Sequence, residues 1–145
     1  MKKSVTVKTV RILASLVLEI GWSTGETLRL DMSACTAPPF DALADPDFFA
    51  RVELEPWGGH GLDWPNGLSM DADRLYELCR EQAGLPTPGT LEAWMARNGL
   101  SLATAAESLG LTRQMITRYC SGGTPIPKLV GLACKGWEAE HQPRP

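Results

Sequence analysis

The chain has 145 residues, of which 43% are hydrophobic and 21% charged, and its formal net charge is −3 at pH 7. This length suffices for one ordinary domain or two small ones, and the acidic balance argues against a protein that binds nucleic acid over its whole surface. The charge is uneven: residues 1–84 carry eight basic and thirteen acidic side chains, whereas residues 85–145 carry six basic and four acidic ones. Any contact with phosphate is therefore expected in the C-terminal part.

The sequence contains no apolar stretch as long as a membrane span. Met1-Lys2-Lys3 is similar to the start of a signal peptide, but residues 4–8 alternate as a strand does, Glu19 interrupts the apolar residues, and no Ala-x-Ala cleavage pattern follows. We therefore expect no membrane contact. The cysteines are spaced neither as metal-ligand pairs nor as a disulfide framework; they are Cys35, Cys79, Cys120 and Cys134. These patterns predict a cytoplasmic protein with free thiols, no metal and no cofactor.

Residues 1–84 are predicted to form an α+β domain, because many of their apolar residues recur with the period of two that is typical of strands. The predicted strands cover residues 5–12, 16–22 and 26–31, as an antiparallel hairpin or meander, and then residues 51–55 and 60–64. Helical turns are predicted over residues 41–45 and 47–49. A longer helix is predicted over residues 72–82, with Asp71 as its N-cap and with Leu75, Tyr76 and Leu78 on its buried face.

The segment Asp63-Trp64-Pro65-Asn66-Gly67 is the most distinctive pattern in this part. It predicts a tight turn, since proline fixes φ and glycine accepts a positive φ, with Trp64 anchoring a strand end in the core. A binding role is the alternative. Together with Asp31, Asp45-Pro46, Phe48-Phe49, Asp71 and Leu75-Tyr76-Glu77, the segment resembles a small bacterial domain family of unknown function, over about residues 5–82. The resemblance implies a small α+β fold without established enzymatic activity; some members are encoded near toxin–antitoxin-like partners.

An enzymatic site would have to be built from His60, Asp63, Asp71 and Asp73. Asp71 and Asp73 are better explained by the dipole of the helix that they open, and His60 has no suitable nucleophile nearby in the sequence. No phosphate-binding glycine loop or nucleophile elbow occurs. We therefore predict that the protein is not an enzyme.

Residues 85–89, Leu-Pro-Thr-Pro-Gly, are predicted to be a linker because prolines and glycines interrupt helices. Residues 90–145 are then predicted to form an all-α domain. Its first helix is expected over residues 91–98 with Thr90 as N-cap, and Leu91, Trp94 and Met95 on one face. Ser101 caps the second helix, assisted by Thr104, with an apolar stripe formed by Leu102, Ala105, Ala106 and Leu109.

Gly110 is predicted to supply the positive φ of a tight turn, after which Leu111 returns to the core. Thr112 caps the third helix, where Ile116 and Tyr119 point inward and which ends at Ser121-Gly122-Gly123. A fourth helix is expected to start near Pro127, with Leu129, Leu132, Ala133 and Trp137 as its apolar face.

Residues 90–138 contain a small Ala106, then Gly110, and then apolar Leu111, Ile116 and Tyr119. With this pattern they resemble the phage-repressor-like helix-turn-helix family of the lambda repressor and Cro type. The resemblance implies that the start and outer face of the third helix read DNA. It nominates Thr112, Arg113, Gln114, Thr117 and Arg118, to which we add Lys128 as a backbone contact. Many family members have a glutamine where this chain has Leu102, a departure that weakens the case for DNA affinity.

The sequence therefore predicts a sequence-specific DNA-binding protein, a transcriptional repressor that could be antitoxin-like. Its partners would be double-stranded DNA, a second copy in a homodimer, and a further protein bound through the N-terminal domain. A dimer is expected because one modestly basic domain binds DNA weakly. The alternative is a protein-interaction module whose helix-turn-helix no longer binds DNA.

Overall fold

The computed structural model describes residues 5–122 and 124–141, which form two compact units. One unit comprises Val5–Ala83, and the other comprises the described residues from Gly84 onward. Met1-Lys2-Lys3, Gly123 and residues 142–145, for which the sequence analysis made predictions, lie outside the described residues. None of the described helices combines the length and the apolar character that crossing a membrane requires.

Three antiparallel strands form the first sheet in the order β1-β2-β3. They are β1 (Val7–Ala14), β2 (Val17–Trp22) and β3 (Thr27–Asp31). Alternate residues of β2 enter the core, where Leu18, Ile20 and Trp22 are buried, as the period of two requires. Leu16 was expected in β2 but lies in the preceding turn with a φ of 62°.

The second sheet is small and antiparallel, in the order β4-β5-β6. A short helix α1 (Pro46–Phe49) precedes β4 (Glu53–Leu54), β5 (Gly61–Asp63) and β6 (Ser69–Asp71). The sequence predicted the pairing of β4 with β5 but missed β6, because Ser-Met-Asp is too short to show an alternating pattern. With these two sheets and its helices, this unit has the predicted α+β character.

Helix α2 (Ala72–Gln82) packs on β3 and closes the core of this unit. Its N-cap is Asp71, whose side chain accepts a hydrogen bond of 2.7 Å from the Arg74 N–H, as predicted. Its buried face was predicted only in part: Leu75 and Cys79 are buried, whereas Tyr76 and Leu78 are half-buried. The buried stripe is therefore centred on the i, i+4 pair Leu75 and Cys79.

The second unit contains four helices and a core of its own. They are α3 (Pro88–Arg97), α4 (Leu102–Leu109), α5 (Arg113–Ser121) and α6 (Lys128–His141). The largest buried side chain in this core is Trp94, whose ring meets that of Trp137 edge to face at 5.5 Å. Helix α3 contacts both α5 and α6, and α4 contacts both as well.

The predicted linker and the predicted cap of α3 need correction. Thr87, not Thr90, is the N-cap: the Thr87 hydroxyl accepts from the Thr90 N–H, and the Thr90 hydroxyl accepts from the Thr87 N–H. Pro88 and Gly89 therefore belong to the helix and not to a linker. Pro88 is favoured there because the first turn of a helix leaves its N–H groups without intrahelical partners.

The apolar face predicted for α6 was also wrong in part. Val130 and Cys134 are buried and Trp137 is half-buried, whereas Leu129 and Leu132 are 75% and 53% exposed. The helix contains apolar residues on two sides, so its composition does not reveal which side faces the core. Tertiary packing selects the Val130 and Cys134 side.

Candidate nucleic-acid interface

A three-residue turn joins α4 to α5. Gly110 ends α4 in the left-handed conformation with a φ of 71°, and the Leu111 N–H donates to the Ala106 carbonyl at 2.9 Å. Thr112 then begins α5 as its N-cap, because its side-chain oxygen accepts from the Met115 N–H at 3.1 Å. The predicted roles of Gly110 and Thr112 are thus confirmed by the local geometry.

Small side chains let α4 and α5 pack closely. Ala105 is fully buried and Ala106 is 4% exposed, and α5 contributes Ile116 and Tyr119 to the buried side. Burial of Ile116 and Tyr119 fixes which side of α5 faces the core. Packing of these two side chains therefore orients α5, and its opposite side faces solvent as a result.

The outward side of α5 carries all five residues that the sequence nominated on this helix. Each is exposed: Thr112, Arg113, Gln114, Thr117 and Arg118. At about 100° per residue, four of them (Arg113, Gln114, Thr117 and Arg118) fall within an arc of about 140° on the side away from Ile116 and Tyr119. Thr112 lies at the N-terminal end of the helix as its cap. The structure therefore brings these residues together on one surface, and Lys128, the sixth nominated residue, is exposed at the start of α6.

The two threonine hydroxyls of this surface differ in what they can still bind. The Thr117 hydroxyl donates to the Arg113 carbonyl at 3.0 Å, so towards solvent it offers a lone pair and a methyl group. The Thr112 oxygen accepts from its own helix, so its proton remains available to an outside acceptor such as a phosphate oxygen. Thr112 thus suits a phosphate contact, and Thr117 suits a base donor or a thymine methyl.

The nominated cations of α5 and of the start of α6 are not neutralised within the described residues. No carboxylate of residues 5–122 or 124–141 forms an ion pair with Arg113, Arg118 or Lys128. By contrast, Arg97 of the same unit donates to both oxygens of Glu138, each at 3.1 Å. The positive charge of the outward face of α5 is therefore available to an anionic partner.

The contact between Arg97 and Glu138 fastens α6 to α3. The Asn98 amide also donates to Glu138 at 2.7 Å and to the Trp94 carbonyl at 2.8 Å. Hydrogen bonds from Arg97 and Asn98 lower the pKa of Glu138 below its usual value. The ion pair uses Arg97 and Glu138 together, so it leaves the net charge of the unit unchanged.

The start of α4 contains the departure from the helix-turn-helix pattern, Leu102. Its side chain is half-buried and cannot hydrogen-bond a phosphate. Ser101 and Thr104 cap the helix reciprocally: Ser101 Oγ accepts from the Thr104 N–H at 3.1 Å, and Thr104 Oγ1 accepts from the Ser101 N–H at 2.8 Å. At this end of α4 the remaining groups for phosphate are therefore backbone N–H groups.

In the other unit, the Trp-Pro-Asn-Gly segment forms the predicted structural turn. Trp64 is 4% exposed, and its indole N–H donates to the Phe49 carbonyl at 3.2 Å. Asn66 and Gly67 have φ values of 68° and 74°. A groove of about 470 Å³ lies beside this turn, lined by Ala50, Arg51, Val52, Glu53, Asp63, Trp64 and Pro65.

Of the residues of the enzymatic alternative, the second sheet brings His60 beside Asp71, whereas Asp63 lies opposite Ser69 at the other end of β5. Gly61 pairs with Asp71, and the His60 carbonyl accepts from the Ala72 N–H at 2.8 Å. The Asp71 carboxylate is used as a helix cap, and Asp73 lies in the first helical turn, as predicted. In the part of the chain that the structure describes, no three His, Cys, Asp or Glu side chains are grouped to hold a metal ion.

Sequence analysis missed a half-buried polar cluster around Glu26. Its carboxylate accepts from Arg80, buried at 4% exposure, at 2.7 Å, from Thr24 at 2.8 Å, and from the Tyr76 hydroxyl. Burial raises the pKa of Glu26, but these hydrogen bonds outweigh it and leave the pKa below its usual value. A signal was present in the sequence, because Arg80 follows Cys79 on the apolar side of an amphipathic helix.

The chain is similar to one protein family and to one solved structure. The family model described as "Protein of unknown function (DUF2442)" matches residues 7–81, just over half of the chain. A crystal structure from Nitrosomonas europaea, described as that of a "Putative DNA Binding Protein", is 36% identical with a TM-score of 0.75. That similarity covers 98% of this chain and 95% of the other. No curated protein matches the chain.

Proposed function

We propose, for a chain that belongs to the DUF2442 family of proteins of unknown function, that its C-terminal unit binds duplex DNA through α5. The unit would act as a helix-turn-helix of the phage-repressor type, with α4 and the Gly110 turn positioning α5 in the major groove. The concrete form is a transcriptional repressor that occupies an operator. The α+β unit would bind a partner protein, as an antitoxin does.

The observation that carries this proposal is the exposed polar face of α5. Arg113 can donate two hydrogen bonds to guanine O6 and N7, and Gln114 can pair with the N6 and N7 of adenine. Thr117 lies one turn after Arg113 and presents a methyl group and a lone pair. These three residues are assigned to the reading of bases.

Other exposed groups are suited to phosphates, which hold the protein in register on the duplex. Arg118 and Lys128 are exposed and form no ion pair with any described carboxylate. Thr112 has a hydroxyl proton to donate. Loss of such a contact weakens binding to all sequences alike and reduces the salt dependence of binding.

The similar Nitrosomonas europaea structure supports the proposal, because its description concerns DNA binding and its similarity extends over both units. The basic excess of residues 85–145 also supports it. Leu102 favours the second candidate, a protein-interaction module that does not bind DNA, because it removes a side chain that could contact the phosphate backbone.

The deciding experiment is selection of bound fragments from a random duplex library at physiological salt. Wild type should enrich one motif, and Arg113→Ala/Gln114→Ala should not. Lys8→Ala is the control, since it removes one exposed cation from the other unit. No enrichment by wild type, together with binding that vanishes as salt rises, would contradict the proposal and favour the interaction module.

Single substitutions then separate base contacts from phosphate contacts. Arg113→Ala is expected to cost about 1–3 kcal/mol of binding free energy and to relax the preference at one base pair. Lys128→Ala should weaken binding to specific and unrelated duplexes by the same factor. Fluorescence anisotropy titrations at several salt concentrations measure both effects, and equal behaviour of the two variants would contradict the assigned roles.

A further inference from the structure

The side of α6 that faces away from the core carries an apolar stripe. Leu129 and Leu132 are 75% and 53% exposed, and Gly136 and Ala139 are exposed as well. At about 100° per residue, these four positions fall within an arc of about 80°. The arc lies opposite Val130 and Cys134, the buried side of the helix. We name these four residues the α6 stripe.

The spacing of the α6 stripe is that of a two-helix seam. The residues are separated by three, four and three positions, which is the a, d, a, d spacing of a heptad repeat. Lys135 and Glu140 then occupy the g and e positions on either side of the stripe, five residues apart. Both are exposed, and neither forms an ion pair with another described residue.

We propose that the α6 stripe binds the α6 stripe of a second copy of this chain, with the two helices parallel. In a parallel pair, a g residue of one helix faces the e residue five positions later on the other. Lys135 of each copy would thus meet Glu140 of the other, giving two equivalent ion pairs. An antiparallel pair would instead bring the lysine flanks of both helices together, which like-charge repulsion disfavours.

The small residues of the stripe are compatible with this arrangement. Gly136 has no side chain, and no heavy atom lies within 4 Å of a Cβ built on it. Together with Ala139, it lets the C-terminal halves of the two helices approach closely. Leu129 and Leu132 supply the apolar area of the N-terminal halves.

The parallel direction of the two helices would help the dimer to bind DNA, a role that rests on the proposed function. Parallel helices place the two Lys128 side chains at the same end of the twofold axis, where both can contact one duplex. Self-association itself is independent of that function and is measured without DNA. A stripe of four residues is smaller than a standard interface. We therefore expect a reversible dimer with a dissociation constant on the order of 10 μM or above.

Sedimentation equilibrium of the full chain across a wide concentration range tests the proposal. Leu132→Glu should weaken dimerisation at least about tenfold, whereas Ala96→Glu, at an exposed position of α3, should not. Lys135→Glu and Glu140→Lys should each weaken it, and the double variant should restore it. Far-UV circular dichroism checks that every variant keeps its helices.

Two results would overturn the inference. A wild-type chain that stays monomeric at millimolar concentration would exclude self-association through the α6 stripe. A dimer that Leu132→Glu disrupts but that the double charge exchange fails to restore would exclude the parallel register. A dimer without any DNA selection would leave this inference standing and contradict only the proposed function.

Discussion

The substitution Gly59→Ala tests how β1 is joined to the loop before β5. Gly59 has a φ of 76°, and a Cβ built on it lies 2.2 Å from the Val7 carbonyl oxygen. The two residues are also joined by a backbone hydrogen bond of 2.7 Å, from the Val7 N–H to the Gly59 carbonyl. An alanine must therefore move the backbone of β1 or break this bond.

The expected loss combines two contributions. A left-handed backbone costs alanine about 1–2 kcal/mol, and a lost backbone hydrogen bond costs about 0.5–1.5 kcal/mol. We therefore expect Gly59→Ala to lower the free energy of unfolding by about 1.5–3.5 kcal/mol. Gly25→Ala is the matched control, because Gly25 has a φ of 92° and no heavy atom lies within 4 Å of its built Cβ.

Urea unfolding of the full chain measures the free energy for wild type and both variants. Gly25→Ala should lose only the conformational contribution, about 1–2 kcal/mol. Hydrogen exchange at the Val7 amide should accelerate in Gly59→Ala by more than its loss of global stability explains, and in Gly25→Ala by no more than that loss explains. Equal destabilisation by the two substitutions would refute the reasoning, because the close approach to Val7 would then contribute nothing.

Three further predictions concern the tryptophans, the Glu26 cluster and the thiols. Trp64→Phe should lower the free energy of unfolding by about 1–2 kcal/mol, because it removes the indole N–H that reaches a backbone carbonyl. Trp57→Phe, at an 86% exposed side chain, should change it by less than about 0.5 kcal/mol in the same urea titration. Glu26→Gln should lower Tm at pH 7, because the pKa of Glu26 is lower in the folded protein than its ordinary value of 4.5 and the ionised form therefore stabilises the fold. This contribution is complete above pH 4.5 and is lost as the pH falls from 4.5 through the folded pKa, so the difference in Tm should shrink there. A difference that is constant from about pH 7 to 3 would contradict this. Burial raises the pKa of Cys79 to about 12, so Cys79 should react with a disulfide reagent only after unfolding. Half-buried Cys35 should react in the native protein. Serine variants at each position identify which thiol has reacted.

Local signals in the sequence predicted the turns and caps of both units well. Asp71, Ser101 and Thr112 all cap helices as expected, because a capping side chain acts on N–H groups two or three residues away. Gly110 was equally readable, since the left-handed turn between α4 and α5 favours glycine. The outward face of α5 followed from these boundaries and from the spacing of Ile116 and Tyr119.

Features that depend on distant residues were not predictable in this way. The Glu26 cluster joins Glu26 to Arg80, and only the fold brings these two positions together. The cap of α3 was misplaced by one turn because Thr87 and Thr90 are both suitable residues. Reciprocal hydrogen bonds between the two threonines make Thr87 the N-cap of α3. The sequence alone does not show which of the two is the cap.

The sequence by itself determined where α2, α4 and α5 begin and where α4 turns into α5, because capping, glycine turns and helical periodicity act over a few residues. Only the tertiary structure decided which side of α6 is buried, because that helix has apolar residues on both sides. Packing of Val130 and Cys134 in the four-helix core left Leu129 and Leu132 in solvent. The physical reason is that burial is a property of the whole core, and a local pattern with two apolar faces is compatible with either choice.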